Sequence, residues 1–129
     1  MKALVTGGGG FLGRYIVEKL LKRGDEVSIF CRGVYPELEQ MGVKVIRGNL
    51  KDREVTKDAI KGHHIVFHVA SKIDMFGRYK DFYDINVKGT QNVIDGCIKW
   101  SIFKLIYTST ASVVFNGTDM KGVDESAPY

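Results

Sequence analysis

Short apolar runs alternate along this chain with segments in which apolar residues recur at helical spacing. The runs predict five β-strands, at 3–5, 26–31, 43–47, 64–70 and 103–109. The intervening segments predict four α-helices, at 11–22, 36–41, 52–61 and 80–99. Regular alternation of strand and helix indicates an α/β fold with a doubly wound parallel sheet, because right-handed crossovers join parallel strands. The expected strand order is 3-2-1-4-5.

Two predicted helices have a recognisable apolar side. In the first helix it comprises Phe11, Leu12, Tyr15, Ile16, Leu20 and Leu21, and we expect Tyr15 to face the sheet. In the helix at 80–99 the candidates are Phe82, Tyr83, Ile85, Val93, Ile94, Cys97 and Ile98. Both helices are therefore expected to pack on the sheet through these residues.

A run of four glycines separates the first strand from the first helix. Gly7, Gly10 and Gly13 have the spacing of a strand-to-helix turn that binds a dinucleotide pyrophosphate. The first glycine permits a tight turn, the second lets the backbone approach the phosphates, and the third lets the helix pack closely on the strand. The free N–H groups at the start of the helix then face the anion. The alternative is a flexible glycine loop without a ligand, but the flanking strand and helix favour a cofactor site.

The end of the second strand bears on which cofactor binds there. A carboxylate about 20 residues past the glycine turn would accept hydrogen bonds from the 2′-hydroxyl of NAD. This chain has Arg32 there instead, and a guanidinium can pair with the 2′-phosphate of NADP. The sequence thus favours NADP over NAD, with Arg32 as an ordinary solvated loop residue as the alternative.

Composition narrows the classes of function. The 129 residues carry a net charge of +4, with 19 Lys and Arg scattered among 15 Asp and Glu, which argues against a nucleic-acid partner. Cys31 and Cys97 lack paired spacing, as is typical of reduced thiols. We find no signal peptide and no apolar run near the roughly 18 residues of a membrane span. We therefore expect one domain, 1–129, in a cytoplasmic protein.

Two further features have competing explanations. His64 and His68 share a face of the fourth strand, but no Cys or carboxylate accompanies them at ligand spacing, so we expect no metal site. His68 is expected near the cofactor cleft. The loop at 71–81 exposes Met75 and Phe76 and could form the wall of a substrate site or simply pack against the protein.

Five motifs resemble, in the same order, those of the extended short-chain dehydrogenase/reductases (the NAD-dependent epimerase/dehydratase superfamily). They are Thr6–Gly13, Gly48–Leu50, His68–Ser71, Asn86–Thr90 and Tyr107–Ser112. Within this group the chain is most similar to 3β-hydroxysteroid dehydrogenases, sterol-4-carboxylate 3-dehydrogenases and 2-alkyl-3-oxoalkanoate reductases. The resemblance covers essentially the whole chain and implies a Rossmann-type fold. One departure is Asn49, where the family usually has an acid that contacts the adenine; its side-chain oxygen could still accept the adenine amino hydrogen.

The resemblance implies an NAD(P)-dependent oxidoreductase that transfers hydride between the nicotinamide and a hydrophobic alcohol or ketone. The implied cofactor-binding residues are Gly7, Gly10, Phe11, Leu12, Gly13, Arg32, Asn49, Leu50, Val69, Ala70, Ser71, Thr108 and Ser109. Thr110, with Ser112 as second choice, corresponds to the hydroxyl that holds the reacting oxygen, and Asn86 to the residue that orders a proton-relay water. The alternative for Thr110 is a hydroxyl bonded to its own backbone. The full-length protein could form a homodimer.

One departure concerns the catalytic base. In the family a Tyr-x-x-x-Lys pair lies downstream of a segment like 123–129, where this chain stops. Tyr15 and Lys19 match that spacing, but they lie in the first helix, so we do not consider them catalytic. We interpret the chain as the front of a longer reductase that lacks the remaining strands and the substrate-binding region, and we expect these residues alone to be inactive. The alternatives are a nucleotide-sugar epimerase or dehydratase and a non-catalytic dinucleotide-binding sensor.

Overall fold

The computed structural model describes residues 1–115, 117–118 and 120–128. The strands are β1 (Lys2–Thr6), β2 (Glu26–Cys31), β3 (Lys44–Arg47), β4 (Ile65–His68) and β5 (Lys104–Tyr107). The α-helices are α1 (Phe11–Lys22), α2 (Pro36–Gln40), α3 (Arg53–Ile60), α4 (Tyr79–Tyr83) and α5 (Thr90–Lys99). A π-helical segment, Asp84–Gly89, joins α4 to α5, and a 3₁₀ turn, Ala111–Val114, follows β5.

The five strands form one parallel sheet in the order β3-β2-β1-β4-β5, as the alternating pattern predicts. In this order β1 and β4 are neighbours, and the chain reverses its winding direction between them. The register places Thr6 beside both Phe30 and His68, and His68 beside Tyr107. The ends of β1, β2, β4 and β5 therefore lie along one edge of the sheet, where ligands bind in open α/β folds.

Each face of the sheet has its own apolar core, because successive strand residues point to opposite faces. Ala3 and Val5 pack with residues of α1, α2 and neighbouring strands, including Val17, Leu20 and Leu38. Leu4 packs on the opposite face in a cluster with residues of α3 and α5. The members of that cluster are Leu4, Phe30, Leu50, Ala59, Ile60, Val66, Val93 and Cys97. The helices that contribute to these two cores therefore pack on both faces of the sheet.

The predicted apolar side of α1 is wrong in its first half. Phe11 is 96% exposed and Tyr15 60% exposed, and Leu12 is exposed as well. The residues that α1 buries are Gly13, Val17 and Leu20, which recur at i, i+4 and i+7. The glycine defines the buried side because it allows close approach, and the larger apolar side chains beside it therefore point outward.

The predicted long helix is present, but it begins at Tyr79 and contains a π-helical segment. Val93 and Cys97 are buried as expected, whereas Tyr83 is exposed and Ile98 is 74% exposed, so these two assignments are wrong. The extra residue per turn in the π-helical segment shifts the helix face, so one apolar stripe cannot describe both halves. Asp84 forms ion pairs with Lys80 and Lys88 there, and these hydrogen bonds hold its pKa below the usual range.

Candidate functional site

The glycine turn connects β1 to α1 at the edge where the strands end. Gly7 has φ of +71°, a left-handed conformation that favours glycine. A Cβ at Gly7 would lie 2.9 Å from the backbone N and Cα of Ala70. The turn therefore touches the exit of β4, and two predicted cofactor-binding segments are in contact.

Gly13 and Gly10 have different surroundings. A Cβ on Gly13 would lie 2.1 Å from the carbonyl oxygen of Gly7, so only glycine lets α1 pack this closely. A Cβ on Gly10 would meet only the same oxygen, at 3.4 Å, which leaves open space beside the helix start. Gly10 is the N-cap and provides no side-chain hydrogen bond, and the first turn of α1 has no acidic residue. The N–H groups at Phe11 and Leu12 are thus available to an anion.

The other two glycines of the run also have structural reasons, which the sequence spacing did not indicate. A Cβ on Gly8 would lie 2.3 Å from Cγ2 of Ile29, inside the core. A Cβ on Gly9 would lie 2.0 Å from the ring of Tyr35, which packs over the turn from beyond β2. The unusual run of four glycines was the available signal, since Gly7, Gly8 and Gly9 each face a different close neighbour and Gly10 borders open space.

The residues predicted to contact the adenosine part of the cofactor lie just beyond the ends of β2 and β3. Arg32 follows β2 directly and is exposed, and its side chain forms no hydrogen bond or ion pair with any residue that the structure describes. The Asn49 side-chain oxygen accepts a hydrogen bond from the Lys51 N–H at 3.1 Å, which leaves one lone pair for a ligand. Leu50 is buried, and its carbonyl oxygen accepts a hydrogen bond from Asn92 at 2.7 Å.

A buried hydrogen-bonded group lies where β1 and β4 end. His68 is 1% exposed, and its Nδ1 lies 2.7 Å from Oγ1 of Thr6. The same hydroxyl oxygen accepts hydrogen bonds from the N–H groups of Val69 and Ala70, at 3.1 and 3.2 Å. Burial lowers the pKa of His68 from 6.5 to about 4, so the ring is neutral at pH 7.

The same histidine also contacts the helical side of the site. Its Nε2 lies 2.9 Å from Oγ1 of Thr90, and the Thr90 hydroxyl donates to the carbonyl oxygen of Asn86 at 2.8 Å. The Asn86 side chain in turn forms two hydrogen bonds with the backbone of Lys72, accepting from its N–H at 2.7 Å and donating to its carbonyl at 3.0 Å. The predicted residue Asn86 thus joins the π-helical segment to the loop after β4.

The end of β5 completes this edge. Tyr107 stacks on His68 with ring centroids 5.6 Å apart, and the Thr108 N–H donates to the His68 carbonyl at 3.0 Å. Ser109 and Thr110 follow and are exposed. Thr110 caps the 3₁₀ turn, where its hydroxyl oxygen accepts from the Ser112 N–H at 3.3 Å, the local bonding expected of a strand-end threonine. Thr110 therefore lies beyond the end of β5, on the edge where the strands end.

Several polar residues that shape this edge were missed in the sequence. Thr6, Thr90 and Asn92 each bond a segment far away in the chain, across 62, 22 and 42 residues. The signal was present for Thr6 and Thr90, which lie in the Thr6–Gly13 and Asn86–Thr90 motifs, but their partner His68 could be identified only from the fold. Gly89 in the same motif is explained by Leu50, whose Cβ would lie 3.0 Å from a Cβ at that position.

The remaining predicted features are the other histidines, the loop at 71–81 and the C-terminal segment. His64 is exposed and accepts a hydrogen bond from the Lys2 N–H, and the described part of the chain contains no group of three or more potential metal ligands. Within that part, no helix is long and apolar enough to cross a membrane. Met75 and Phe76 are exposed as predicted. Tyr129, the last residue of the segment that resembles the approach to the family's catalytic pair, is not among the described residues.

The sequence profile of the 3-beta hydroxysteroid dehydrogenase/isomerase family matches residues 4–129. The chain belongs to this family. It is 49% identical over 127 residues to the 2-alkyl-3-oxoalkanoate reductase of Shewanella oneidensis, covering 98% of this chain and 33% of that protein. It is 40% identical over 128 residues to the human sterol-4-alpha-carboxylate 3-dehydrogenase, decarboxylating, covering 99% and 34%. The chain thus spans about a third of the length of these relatives.

Solved structures of this wider fold are also similar. One is the UDP-glucose 4-epimerase of Thermus thermophilus in complex with NAD, with a TM-score of 0.86 and 29% identity. It matches over 99% of this chain and 44% of that one. A short-chain dehydrogenase/reductase superfamily protein from Agrobacterium tumefaciens with bound NAD has the same TM-score at 26% identity, over 99% and 38% of the two chains. The family and the Rossmann-type fold expected from the motifs are therefore confirmed.

Proposed function

We propose that these residues form the cofactor-binding part of an NAD(P)-dependent oxidoreductase. The observation that carries the proposal is the glycine turn, in which Gly7 is left-handed, Gly13 contacts the Gly7 carbonyl, and Gly10 leaves space at an uncapped helix start. That space fits a pyrophosphate, because backbone N–H groups and the positive end of α1 face it. The similar solved structures in complex with NAD support the assignment.

A bound nicotinamide cofactor would supply or accept a hydride. The residues of this chain would bind the cofactor and assist the proton transfer that accompanies the hydride. Phe11 and Leu12 offer their backbone N–H groups to the pyrophosphate. The Thr110 hydroxyl would hold the reacting oxygen, and Asn86 would order a water for proton transfer. Thr110 lies beyond the end of β5, and Asn86 lies in the π-helical segment. The predicted cofactor-binding residues Val69, Ala70 and Ser71 follow β4, which lies between β1 and β5 in the sheet.

We further propose that NADP is preferred and that the substrate is a hydrophobic alcohol or ketone. Arg32 lies exposed at the end of β2 without a partner among the described residues, so its guanidinium is available to a 2′-phosphate. The exposed apolar side chains of Met75 and Phe76 suit a nonpolar substrate. The relatives named as a reductase and a sterol dehydrogenase support this class. We also expect a cytoplasmic protein and a homodimer at full length.

A nucleotide-sugar epimerase is the second candidate function. The similarity to a UDP-glucose 4-epimerase favours it, because the cofactor turn and the end of β5 serve both chemistries on this fold. A non-catalytic dinucleotide-binding sensor is the third candidate, because binding a dinucleotide requires only the glycine turn and the neighbouring strand ends. In the full-length protein, tightly retained cofactor that is not exchanged during turnover would favour epimerisation, and a downstream Tyr-x-x-x-Lys pair would contradict the sensor.

The test of the cofactor site is a calorimetric titration with NADPH and with NADH, alongside circular dichroism to show that the protein is folded. We expect both to bind, with NADPH the tighter ligand. Inorganic pyrophosphate is the control for simple anion attraction and should bind far more weakly, since it lacks the adenosine contacts. A folded protein that binds neither dinucleotide would overturn the proposal, and equal affinity for the two would remove only the preference for NADP.

A further inference from the structure

The two ring nitrogens of His68 contact hydroxyl groups from different parts of the chain. Thr6 belongs to β1 and bonds Nδ1, and Thr90 begins α5 and bonds Nε2. Both contacts are short, at 2.7 and 2.9 Å, and the ring is buried. A buried histidine with both nitrogens bonded is constrained in its tautomer, and the partners determine which nitrogen carries the proton.

The Thr6 hydroxyl fixes the state of Nδ1. A threonine hydroxyl has one hydrogen to donate and two lone pairs to accept with. The N–H groups of Val69 and Ala70 can only donate, so they take both lone pairs. The remaining hydrogen of Thr6 must therefore be donated to Nδ1 of His68, which requires Nδ1 to be unprotonated.

The Thr90 hydroxyl independently fixes the state of Nε2. Its hydrogen is donated to the carbonyl oxygen of Asn86, which can only accept. The contact between Thr90 and Nε2 must then run in the opposite sense, with Nε2–H as donor. The bonds at Nδ1 and at Nε2 thus indicate the same state, the neutral Nε2–H tautomer. Each hydrogen bond in the network that links the Val69 and Ala70 N–H groups, Thr6, His68, Thr90 and the Asn86 carbonyl then has a defined donor and acceptor.

We propose that His68, as the neutral Nε2–H tautomer, is a positioning residue that holds the Asn86 carbonyl and the Val69–Ala70 backbone in fixed positions relative to the glycine turn. The expected effect of these bonds on cofactor binding rests on the proposed function. The residues it joins are those predicted to contact cofactor on one side and to order the proton-relay water on the other. Asn86 lies in the π-helical segment, where regular backbone pairing is altered, so a hydroxyl bonded to its carbonyl fixes a group that could otherwise reorient.

The tautomer is measurable in the protein without cofactor. Long-range ¹H–¹⁵N correlation spectra of labelled protein distinguish protonated from unprotonated ring nitrogens, and His63→Gln and His64→Gln variants assign the three histidines. We expect His68 to show an unprotonated Nδ1 and a protonated Nε2 at pH 7. A protonated Nδ1, an imidazolium or a mixture of tautomers would overturn the proposal whether or not the protein binds a cofactor.

A matched pair of variants tests the positioning role. Thr90→Ser keeps the hydroxyl, whereas Thr90→Val removes it at nearly the same volume. We expect Thr90→Val, and not Thr90→Ser, to shift the Asn86 carbonyl ¹³C resonance and to weaken NADPH binding about fivefold, the effect of losing one hydrogen bond. An Asn86 carbonyl resonance in Thr90→Val that matches the wild type would contradict the proposal. If the wild type binds no dinucleotide, the proposed function fails, and the carbonyl resonance still decides the positioning role.

If Thr90→Val does not fold, Thr6→Val and Thr6→Ser offer the same comparison on the other nitrogen. The expected signature is then a change in the Val69 and Ala70 amide resonances in Thr6→Val alone, with recovery in Thr6→Ser. Equal spectra for the two Thr6 variants would overturn the proposed role of His68 toward the β4 exit.

Discussion

A Cβ on Gly13 would lie 2.1 Å from the carbonyl oxygen of Gly7, whereas a Cβ on Gly10 would lie 3.4 Å from that same oxygen. The two glycines are three residues apart, but they serve different purposes. Gly13 is required for packing, because the obstacle is backbone that cannot move aside without shifting α1. Gly10 borders open space and is free to serve a ligand.

This difference predicts that substitution by alanine reduces mainly stability at Gly13 and mainly cofactor binding at Gly10. Gly13→Ala should destabilise the protein by about 3 kcal/mol, at the upper end of typical overpacking costs. Gly10→Ala should cost less than about 1 kcal/mol, since its φ of −81° suits alanine and the main penalty is a poorer N-cap. Gly10→Ala should nevertheless weaken dinucleotide binding at least tenfold, because the methyl group occupies the space for the pyrophosphate. Urea denaturation and calorimetric titration measure the two effects.

Stable Gly10→Ala protein with unchanged NADPH affinity would contradict the location of the pyrophosphate at this turn. A Gly13→Ala variant as stable as the wild type would instead contradict the close packing of α1.

Arg32→Asp should reverse the preference between the two cofactors. Removing the guanidinium eliminates a charge-assisted bond to the 2′-phosphate, and such bonds contribute about 1.5–3 kcal/mol, or at least tenfold in NADPH affinity. The new carboxylate can accept from the ribose hydroxyl of NADH, whose affinity should rise. The matched control is Lys22→Asp, which makes the same change of charge on an exposed side chain. Lys22 lies at the C-terminal end of α1, away from the glycine turn. If both variants weaken NADPH binding alike, the effect is long-range charge and Arg32 makes no specific contact.

The stability of the protein should fall as the pH drops below neutrality. The pKa of His68 is lowered from 6.5 to about 4 by burial, and its contacts are the uncharged side chains of Thr6, Thr90 and Tyr107. The unfolded chain therefore binds a proton on this histidine below pH 6.5 while the folded protein does not. The contribution of His68 to the free energy of unfolding is complete above pH 6.5. It declines as the pH falls toward 4, by about 3 kcal/mol in total.

Denaturation in urea between pH 7 and about 5.5 measures the first part of this loss, at pH values where Asp and Glu, with ordinary pKa values of about 3.9 and 4.3, remain ionised. The pKa of His63 is also lowered by burial, so it contributes in the same direction. His68→Asn should reduce the pH dependence strongly, and His63→Asn should leave most of it in place. A pH dependence that survives in His68→Asn would show that another group accounts for it.

The alternating pattern of the sequence was sufficient to predict the strand order and the edge that carries the site, because strand–helix alternation leaves few topologies. It was insufficient to predict which side of α1 is buried. Tyr15 is apolar enough to count toward an apolar stripe, yet the close approach at Gly13 turns it outward. It also could not reveal the bonds of His68, because Thr6 is 62 residues away and the pairing depends on strand register.

The contact between Gly9 and Tyr35 leads to a prediction of coupling between two residues. A Cβ on Gly9 would lie 2.0 Å from Cζ of the Tyr35 ring, but this neighbour is the end of a side chain and can move where the Gly7 carbonyl cannot. Gly9→Ala should therefore destabilise the protein by about 1–2 kcal/mol, less than Gly13→Ala. Tyr35→Ala should be destabilising by itself, since the ring packs against the core that contains Val5 and Leu38.

In Tyr35→Ala protein the obstacle is gone, so adding Gly9→Ala should cost little. The double-mutant cycle, measured by urea denaturation, should give a coupling free energy of about 1–2 kcal/mol in the compensating direction. Gly8→Ala provides the contrast, because its close neighbour is Ile29 and Tyr35→Ala should give no relief there. Strictly additive effects of Gly9→Ala and Tyr35→Ala would show that the ring does not lie over the turn. Coupling of the same size with Gly8→Ala would mean that the turn responds as a unit and not through this one contact.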